Sequence, residues 1–296
     1  MEKFRFDFKA LGCGSEILVV VESKGVAITA TEAAVAEITR IEQKYSRYQT
    51  GSLISRLNDS AGADGFLACD EETASLLRHA DDMYVASSGL FDVTSGVMRR
   101  AWDFNRTSLP DKKKIERLLE LIGWNKVERD GNSVRLSRKG MQLDLGGIGK
   151  EYAADRAAEV LHGKGIRHGY VNMAGDIRVV GVQPDGQPWK IGVRDPLKSG
   201  KMLATVPLYG GALATSGDYE RCIVVDGRQY GHIINPLTGY PVDYWRSVSV
   251  VAPTALQAGS CSTIVMLKEK DGLDHLNASG LMYLAVDKYG KIHHRD

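Results

Sequence analysis

The chain has 296 residues, of which 43% are hydrophobic and 25% charged, and its formal net charge is +1. That mix is typical of soluble globular proteins, and so even a charge balance excludes a nucleic-acid groove or a polybasic membrane patch as the organising feature. No apolar run is long enough to span a bilayer. Cys13, Cys69, Cys222 and Cys261 are far apart and form no metal-spaced pair, so reduced thiols are expected.

Phe4, Phe6 and Phe8 alternate with polar residues as in a strand, without the apolar core and small-residue cleavage site of a signal peptide; a cytoplasmic location is the expectation. Strands are predicted over residues 3–8 and 16–21 around a glycine-containing bend. A helix is predicted over 29–45, where Ala30, Ala33, Ala34, Ile38 and Ile41 fall near a helical period. A short helix over 52–58 leads to a longer one over 70–87 with Asp70 as N-cap, and Leu109-Pro110 opens a charged surface helix over 111–122. Residues 127–129, 133–136 and 142–145 read as a small meander whose first turn is Asp130-Gly131. A helix over 150–162 precedes strands at 169–174, 177–181, 189–193 and 201–208. Asp226-Gly227, between strands at 222–225 and 229–234, is a hairpin signal. A strand at 247–251, helices at 254–268 and 271–278, and a strand at 281–287 complete the chain. Helices and strands come in runs rather than in strict alternation, so the fold class is α+β with a largely antiparallel sheet. With no repeat and no low-complexity linker, residues 1–296 are read as one domain.

Several stretches carry candidate chemistry. Gly146, Gly147 and Gly149 run into Lys150 and an alanine-rich helical pattern. Glycines let backbone approach a ligand, and a helix N-terminus presents N–H groups to anions. The spacing is neither that of a Walker loop nor G-x-G-x-x-G, so a phosphate site and an ordinary strand–helix turn both stay open. Asp92 and Thr94 suit hydrogen bonds to a heterocycle or ribose, or an Asx-type turn. Asn172 and Asp176 sit in a tight turn between strands. The run ATSGDYER from Ala214 gathers hydroxyls, charge and an aromatic ring, either to bind a ligand or to cap a hairpin. His232 stands ahead of a Pro- and Gly-punctuated turn, where an imidazole is either structural or a proton acceptor near neutral pH. Residues 258–263 place small side chains and hydroxyls early in the last long helix, suited to an anion, a hydrated cation or close helix packing.

Taken in order, these segments resemble the ApbE family of FAD:protein FMN transferases. The pieces that match are SRY at Ser46, GLFDVTSG at Gly89, DLGGIGKEYAADRA at Asp144, VNMAGDIRVVG at Val171, ATSGDYER at Ala214, HIINPLTGYPV at His232 and SVSVVAPTALQAGSCST at Ser247. The resemblance implies a tunnelling-fold-like, largely antiparallel core with packed helices and an FAD cleft. It implies that a Thr or Ser hydroxyl of a target flavoprotein attacks the FMN-side phosphorus of FAD. AMP leaves, and Mg2+ bridges the pyrophosphate. By the same resemblance Leu11 and Tyr48 flank the flavin or adenine, and Phe91, Asp92, Asp144, Lys150 and Ile233 contact FAD. Asn172 and Ser216 support the cleft, and His232 assists deprotonation of the target hydroxyl. Gly147, through its carbonyl, and Thr263, through its hydroxyl, bind the metal.

Three positions depart from the family pattern. Gly259 stands where the family usually has a metal-binding aspartate, Glu151 where it has glycine, and Leu11 where it has methionine. Magnesium is usually held by one or two carboxylates plus substrate phosphates. Two other readings therefore stand beside the transferase: a non-catalytic FAD-binding paralogue, and an FAD pyrophosphatase giving FMN and AMP. Glu151 either replaces the missing ligand or points to solvent. Partners are then FAD and a target protein, with no nucleic acid and no membrane span, and the sequence leaves the oligomeric state open.

Overall fold

The computed structural model describes residues 1–106 and 108–296. The chain opens with the hairpin β1 (Glu2–Ala10) and β2 (Cys13–Val21), turned by Leu11 and Gly12 at φ 51° and 71°. Two positive φ angles give the backbone twist that a two-residue hairpin loop requires. Next come α1 (Lys24–Tyr45), α2 (Leu53–Asp59), β3 (Leu67–Ala68), α3 (Glu71–Ala86), α4 (Lys112–Leu119), β4 (Val127–Asp130) and β5 (Ser133–Leu136). Then follow α5 (Gly149–Gly163), β6 (Gly169–Met173), β7 (Asp176–Gly181), β8 (Trp189–Arg194), β9 (Met202–Leu208) and β10 (Ala212–Gly217). The last third holds β11 (Cys222–Val225), β12 (Arg228–Gly231), β13 (Trp245–Ala252), α6 (Ala255–Lys268), α7 (Gly272–Ser279), β14 (Met282–Asp287) and β15 (Ile292–Arg295).

One eight-stranded sheet has the order β1-β2-β6-β7-β10-β13-β14-β15, with every neighbouring pair antiparallel. Both of its faces are covered. In β2, Ile17 and Val19 join the core under the helices, while Leu18 and Val20 join a second core under the β8–β9 ribbon. Side chains alternate across a strand, so a continuous apolar run in β2 means a strand buried on both sides. Full burial of each such side chain stabilises by about 1.5–3 kcal/mol. A third cluster, around Met98, Trp102, Ile115 and Ile223, ties α4 and the β11–β12 hairpin to the site region.

The α+β class and the largely antiparallel sheet expected from sequence are what the structure has. Four local expectations are corrected. Residues 142–145 form no strand: the Asn58 side chain bonds both Leu143 N (2.6 Å) and Leu143 O (3.0 Å), and Asp144 N donates to Val93 O (2.8 Å). The small sheet instead takes β3 as its third strand. Helix α1 begins at Lys24 rather than 29, because the Ser23 hydroxyl accepts from Val26 N and the exposed Gly25 is tolerated in the first turn. Residues 258–263 lie in the middle of α6, not at its N-terminus, whose first N–H groups are already used: Ala255 N and Leu256 N donate to the two carboxylate oxygens of Asp155, each at 2.9 Å. The edge strand β15 lies beyond the last element expected from sequence; its four residues all pair with β14 but stay largely exposed, which leaves little apolar signal.

Candidate active site

At one end of the sheet the β1–β2 turn, the β6–β7 turn, the C-terminal end of β10 and the N-terminal end of α5 come together, as the pairings Ser15 with Met173 and Leu213 with Ile177 require. The Lys150–Asp176 ion pair, 2.6 Å, joins α5 to the start of β7. Asp176 is 3% exposed. Burial alone would lower the Lys150 pKa, but the charges of Asp176 and Glu151 outweigh it and hold the ammonium above its ordinary value. Lys150 is therefore a fixed cation, already engaged on one side by the chain's own carboxylate.

His232 lies half-buried just past β12, and its Nδ1 is buried with no hydrogen-bond partner. Burial, reinforced by the positive charges of Arg99, Arg221 and Lys150, lowers its pKa to about 4. The ring is thus neutral at pH 7, with a lone pair available and three cations around it. Its loop is firmly held. Trp102 Nε1 donates to Gly239 O (2.7 Å), Gly239 N donates to Asn235 O (2.8 Å), and Val242 N donates to Ile233 O (3.0 Å). Gly239 itself has φ +74°, and an added Cβ would lie 2.4 Å from Ile115.

Asp144 is organised by Arg47. Arg47 Nη1 donates to Asp144 Oδ2 (3.1 Å) and to Gly96 O (2.7 Å), and Nη2 donates to Gln142. Asp144 Oδ1 in turn accepts from Gly146 N at 2.8 Å, which shapes the glycine loop. Phe91 is buried beneath that loop, 3.5 Å from where a Cβ on Gly147 would sit. Both Asp92 carboxylate oxygens are engaged within the chain. Its Oδ1 accepts from Thr94 N (2.7 Å) and Thr94 Oγ1 (2.6 Å), and its Oδ2 accepts from Trp124 N (3.0 Å). Burial raises its pKa against those hydrogen bonds. Asn172 Oδ1 accepts from Gly175 N at 2.8 Å and so closes the β6–β7 turn. Tyr48 is the most open of the expected contacts, 78% exposed, with the Arg47 guanidinium 5.6 Å from its ring centre. Leu11 and Ile233 are half-buried.

Ser216, on β10, lies 2.8 Å from Ser262 Oγ and 3.1 Å from Thr263 Oγ1, and Ser262 Oγ donates to Gly259 O at 3.0 Å. Glu151, on α5, packs against Gly259 of α6. It is 6% exposed, so it does not point to solvent, and its Oε2 has no partner. Burial and the neighbouring Asp176 raise its pKa to about 8. Among the described residues no three His, Cys, Asp or Glu side chains are grouped to hold a metal ion. A cavity of about 710 Å³ opens at the same end of the sheet, on the side of the β8–β9 ribbon. Of the expected contacts its lining includes only Asn172, beside Gly175, Thr215 and Tyr219.

The sequence reading overlooked Arg47, Arg99 and Arg221, although Arg47 and Arg221 lie inside two of the quoted segments. The fold brings these arginines near one another, and a planar guanidinium suits phosphate oxygens. Arg99, Arg221 and Lys150 all bear on the His232 ring, an arrangement able to attract an anion and to accept a proton.

Comparison with known proteins places the chain in a family. A family model described as the ApbE family matches residues 11–285. The chain belongs to that family. It is 30% identical over 277 residues to an FAD:protein FMN transferase of Haemophilus influenzae, covering 88% of this chain and 80% of that one. Its identity to an FAD:protein FMN transferase of Rhodobacter capsulatus is 32% over 264 residues, covering 86% of this chain and 50% of that one. In three dimensions it superposes on the crystal structure of the ApbE protein of Thermotoga maritima with TM-score 0.91 and 32% identity, covering 100% and 97% of the two chains. The fold is shared as well with the flavin transferase ApbE of Vibrio cholerae, TM-score 0.86 at 24% identity, covering 99% of this chain and 96% of that one. Among the described residues no helix is long and apolar enough to cross a membrane.

Proposed function

We propose that this chain is an FAD:protein FMN transferase. The observation that carries the reading is the neutral His232 imidazole surrounded by Arg99, Arg221 and Lys150. In the proposed step a Thr or Ser hydroxyl of the target protein attacks the FMN-side phosphorus of FAD. The hydroxyl proton passes to the His232 ring, a new P–O bond forms to the target, and the P–O bond to AMP breaks with its electron pair leaving on AMP. Phosphoryl transfer of this kind depends on positioning and charge neutralisation more than on a strong nucleophile. Arg99, Arg221 and Lys150 bind the pyrophosphate, and the glycine loop held by Arg47 and Asp144 lets backbone approach it. Tyr48 and Leu11 flank a ring system and Ile233 contacts FAD, while Phe91, Asp92, Asn172 and Ser216 position the loops around it. Mg2+ fits the donors present: the Gly147 carbonyl and the Thr263 hydroxyl are hard oxygens, and Glu151, packed against Gly259 one turn from Thr263, has an unpartnered carboxylate oxygen. When bound, the ion would neutralise pyrophosphate charge. All four cysteines are free thiols, which suits a reducing, cytoplasmic setting.

Because the cationic groups address the pyrophosphate, FAD should bind more tightly than FMN or riboflavin. Fluorescence titration in EDTA tests this, and equal affinity for FAD and FMN removes the reading. Lys150→Ala is expected to weaken FAD binding by about 1–3 kcal/mol, the range for losing a charged hydrogen-bond partner. The same change strands the buried Asp176, so it should also lower the melting temperature of the FAD-free protein. Adding Asp176→Asn should recover the melting temperature but not the FAD affinity.

A further inference from the structure

We propose that Glu151 is the carboxylate ligand of a divalent cation held between α5 and α6, reaching over Gly259 to supply from one helix what the other lacks. The space itself makes the case. A Cβ built on Gly259 would lie 2.5 Å from Glu151 Cγ, 2.8 Å from Oε1 and 3.0 Å from Cδ. Gly259 is an ordinary helical residue within α6, with no positive φ to demand glycine. Position 259 is bare because the Glu151 side chain fills the volume above it. The two departures noted in the sequence are therefore one change: a carboxylate moved from α6 to α5 with its site of delivery kept.

A carboxylate buried between helices is costly unless it is paired or bound to a metal. The Lys150 ammonium, next along the helix, is bonded to Asp176 instead, 2.6 Å away, and Glu151 Oε2 is left unpartnered. Around it the chain offers hard oxygens. Thr263 lies one turn beyond Gly259 on the same face of α6, and Gly147 stands just ahead of α5, whose first turn carries Glu151. One carboxylate, one hydroxyl and one carbonyl are too few to hold Mg2+ or Mn2+ alone. The remaining ligands must be water and phosphate oxygens. Cation affinity should accordingly depend on FAD, so the inference rests on the proposed substrate.

The test is a Mn2+ titration followed by electron paramagnetic resonance, on the full chain with and without FAD. The wild-type protein should take up Mn2+ with FAD and much more weakly without it. Glu151→Gln, which keeps shape and packing, should weaken that uptake by roughly tenfold or more while leaving FAD affinity in EDTA unchanged, since ligand charge dominates such sites. The paired exchange Glu151→Gly with Gly259→Asp should restore uptake, because it returns a carboxylate to the same volume from α6. Gly259→Asp alone meets the Glu151 side chain and should lower the melting temperature. Glu151→Gln binding Mn2+ as well as wild type overturns the inference, and so does uptake by the paired exchange but not by the wild type. FMN transfer, followed in the same samples, separates the two readings. Transfer without Mn2+ uptake overturns the inference and leaves the proposed function standing; Glu151-dependent uptake without transfer supports the inference and removes the transferase.

Discussion

His232→Ala should lower the rate of FMN transfer by about 10²–10⁴-fold, the range for losing a positioned general base, with FAD affinity in EDTA little changed. The imidazole is suited to this because its pKa stands near 4, pushed down by burial and by Arg99, Arg221 and Lys150. It is therefore already the proton-accepting form at neutral pH. The pH profile of kcat/KM, which reports the free enzyme, should be flat through the neutral range and fall only as pH approaches about 4. Stability moves in the same direction for a separate reason. An unfolded histidine takes up its proton near pH 6.5, whereas the folded ring resists until about pH 4, so acidification across that window favours the unfolded chain. Far-UV circular dichroism at each pH keeps the two effects apart. If His232→Ala instead melts early or loses FAD, the imidazole is holding its loop rather than taking a proton.

Arg47→Met is expected to cost about 3 kcal/mol of folding stability, the low end for stripping one partner from a buried ion pair. The Arg47 side chain is 10% exposed and is bonded at once to Asp144, Gly96 O and Gln142. The fit is tight: a Cβ on Gly96 would lie 2.4 Å from Asp144 Cβ and 2.6 Å from Arg47 Nη1. Removing the fork frees Asp144 and, through it, Gly146, so FAD affinity should fall along with stability. Arg47→Lys keeps the charge but not the fork and should recover only part of the loss. A denaturant midpoint for Arg47→Met within about 0.5 kcal/mol of wild type would be the size of an ordinary surface change and would contradict this account.

Most elements could be read from the sequence because their signals are local. The Asp226-Gly227 turn, the Asp70 cap and the apolar period of α1 each act within a few residues. Segment 142–145 misled because its alternation is that of a strand, while its backbone groups are satisfied by Asn58 and Val93, far away in the chain. The site was legible as residue types and not as engagements. Asp92 and Asn172 look like ligand contacts, but Asp92 spends its oxygens on Thr94 and Trp124 and Asn172 spends its Oδ1 on its own turn. Asp155, which drew no comment in the sequence, caps α6. Glu151 and Gly259 each read as a loss or an oddity, and only packing shows that one fills the space of the other.

The central claim is that FMN leaves FAD for a protein hydroxyl. The direct measurement is to incubate the wild-type protein with FAD, Mg2+ and an acceptor peptide bearing a flavinylation motif, then weigh the peptide by mass spectrometry and quantify AMP. The account predicts a peptide heavier by one FMN phosphoester, formed in equal amount to AMP and lost when the acceptor Thr or Ser is replaced by Ala. FMN and AMP appearing free in solution with the peptide unmodified would contradict it.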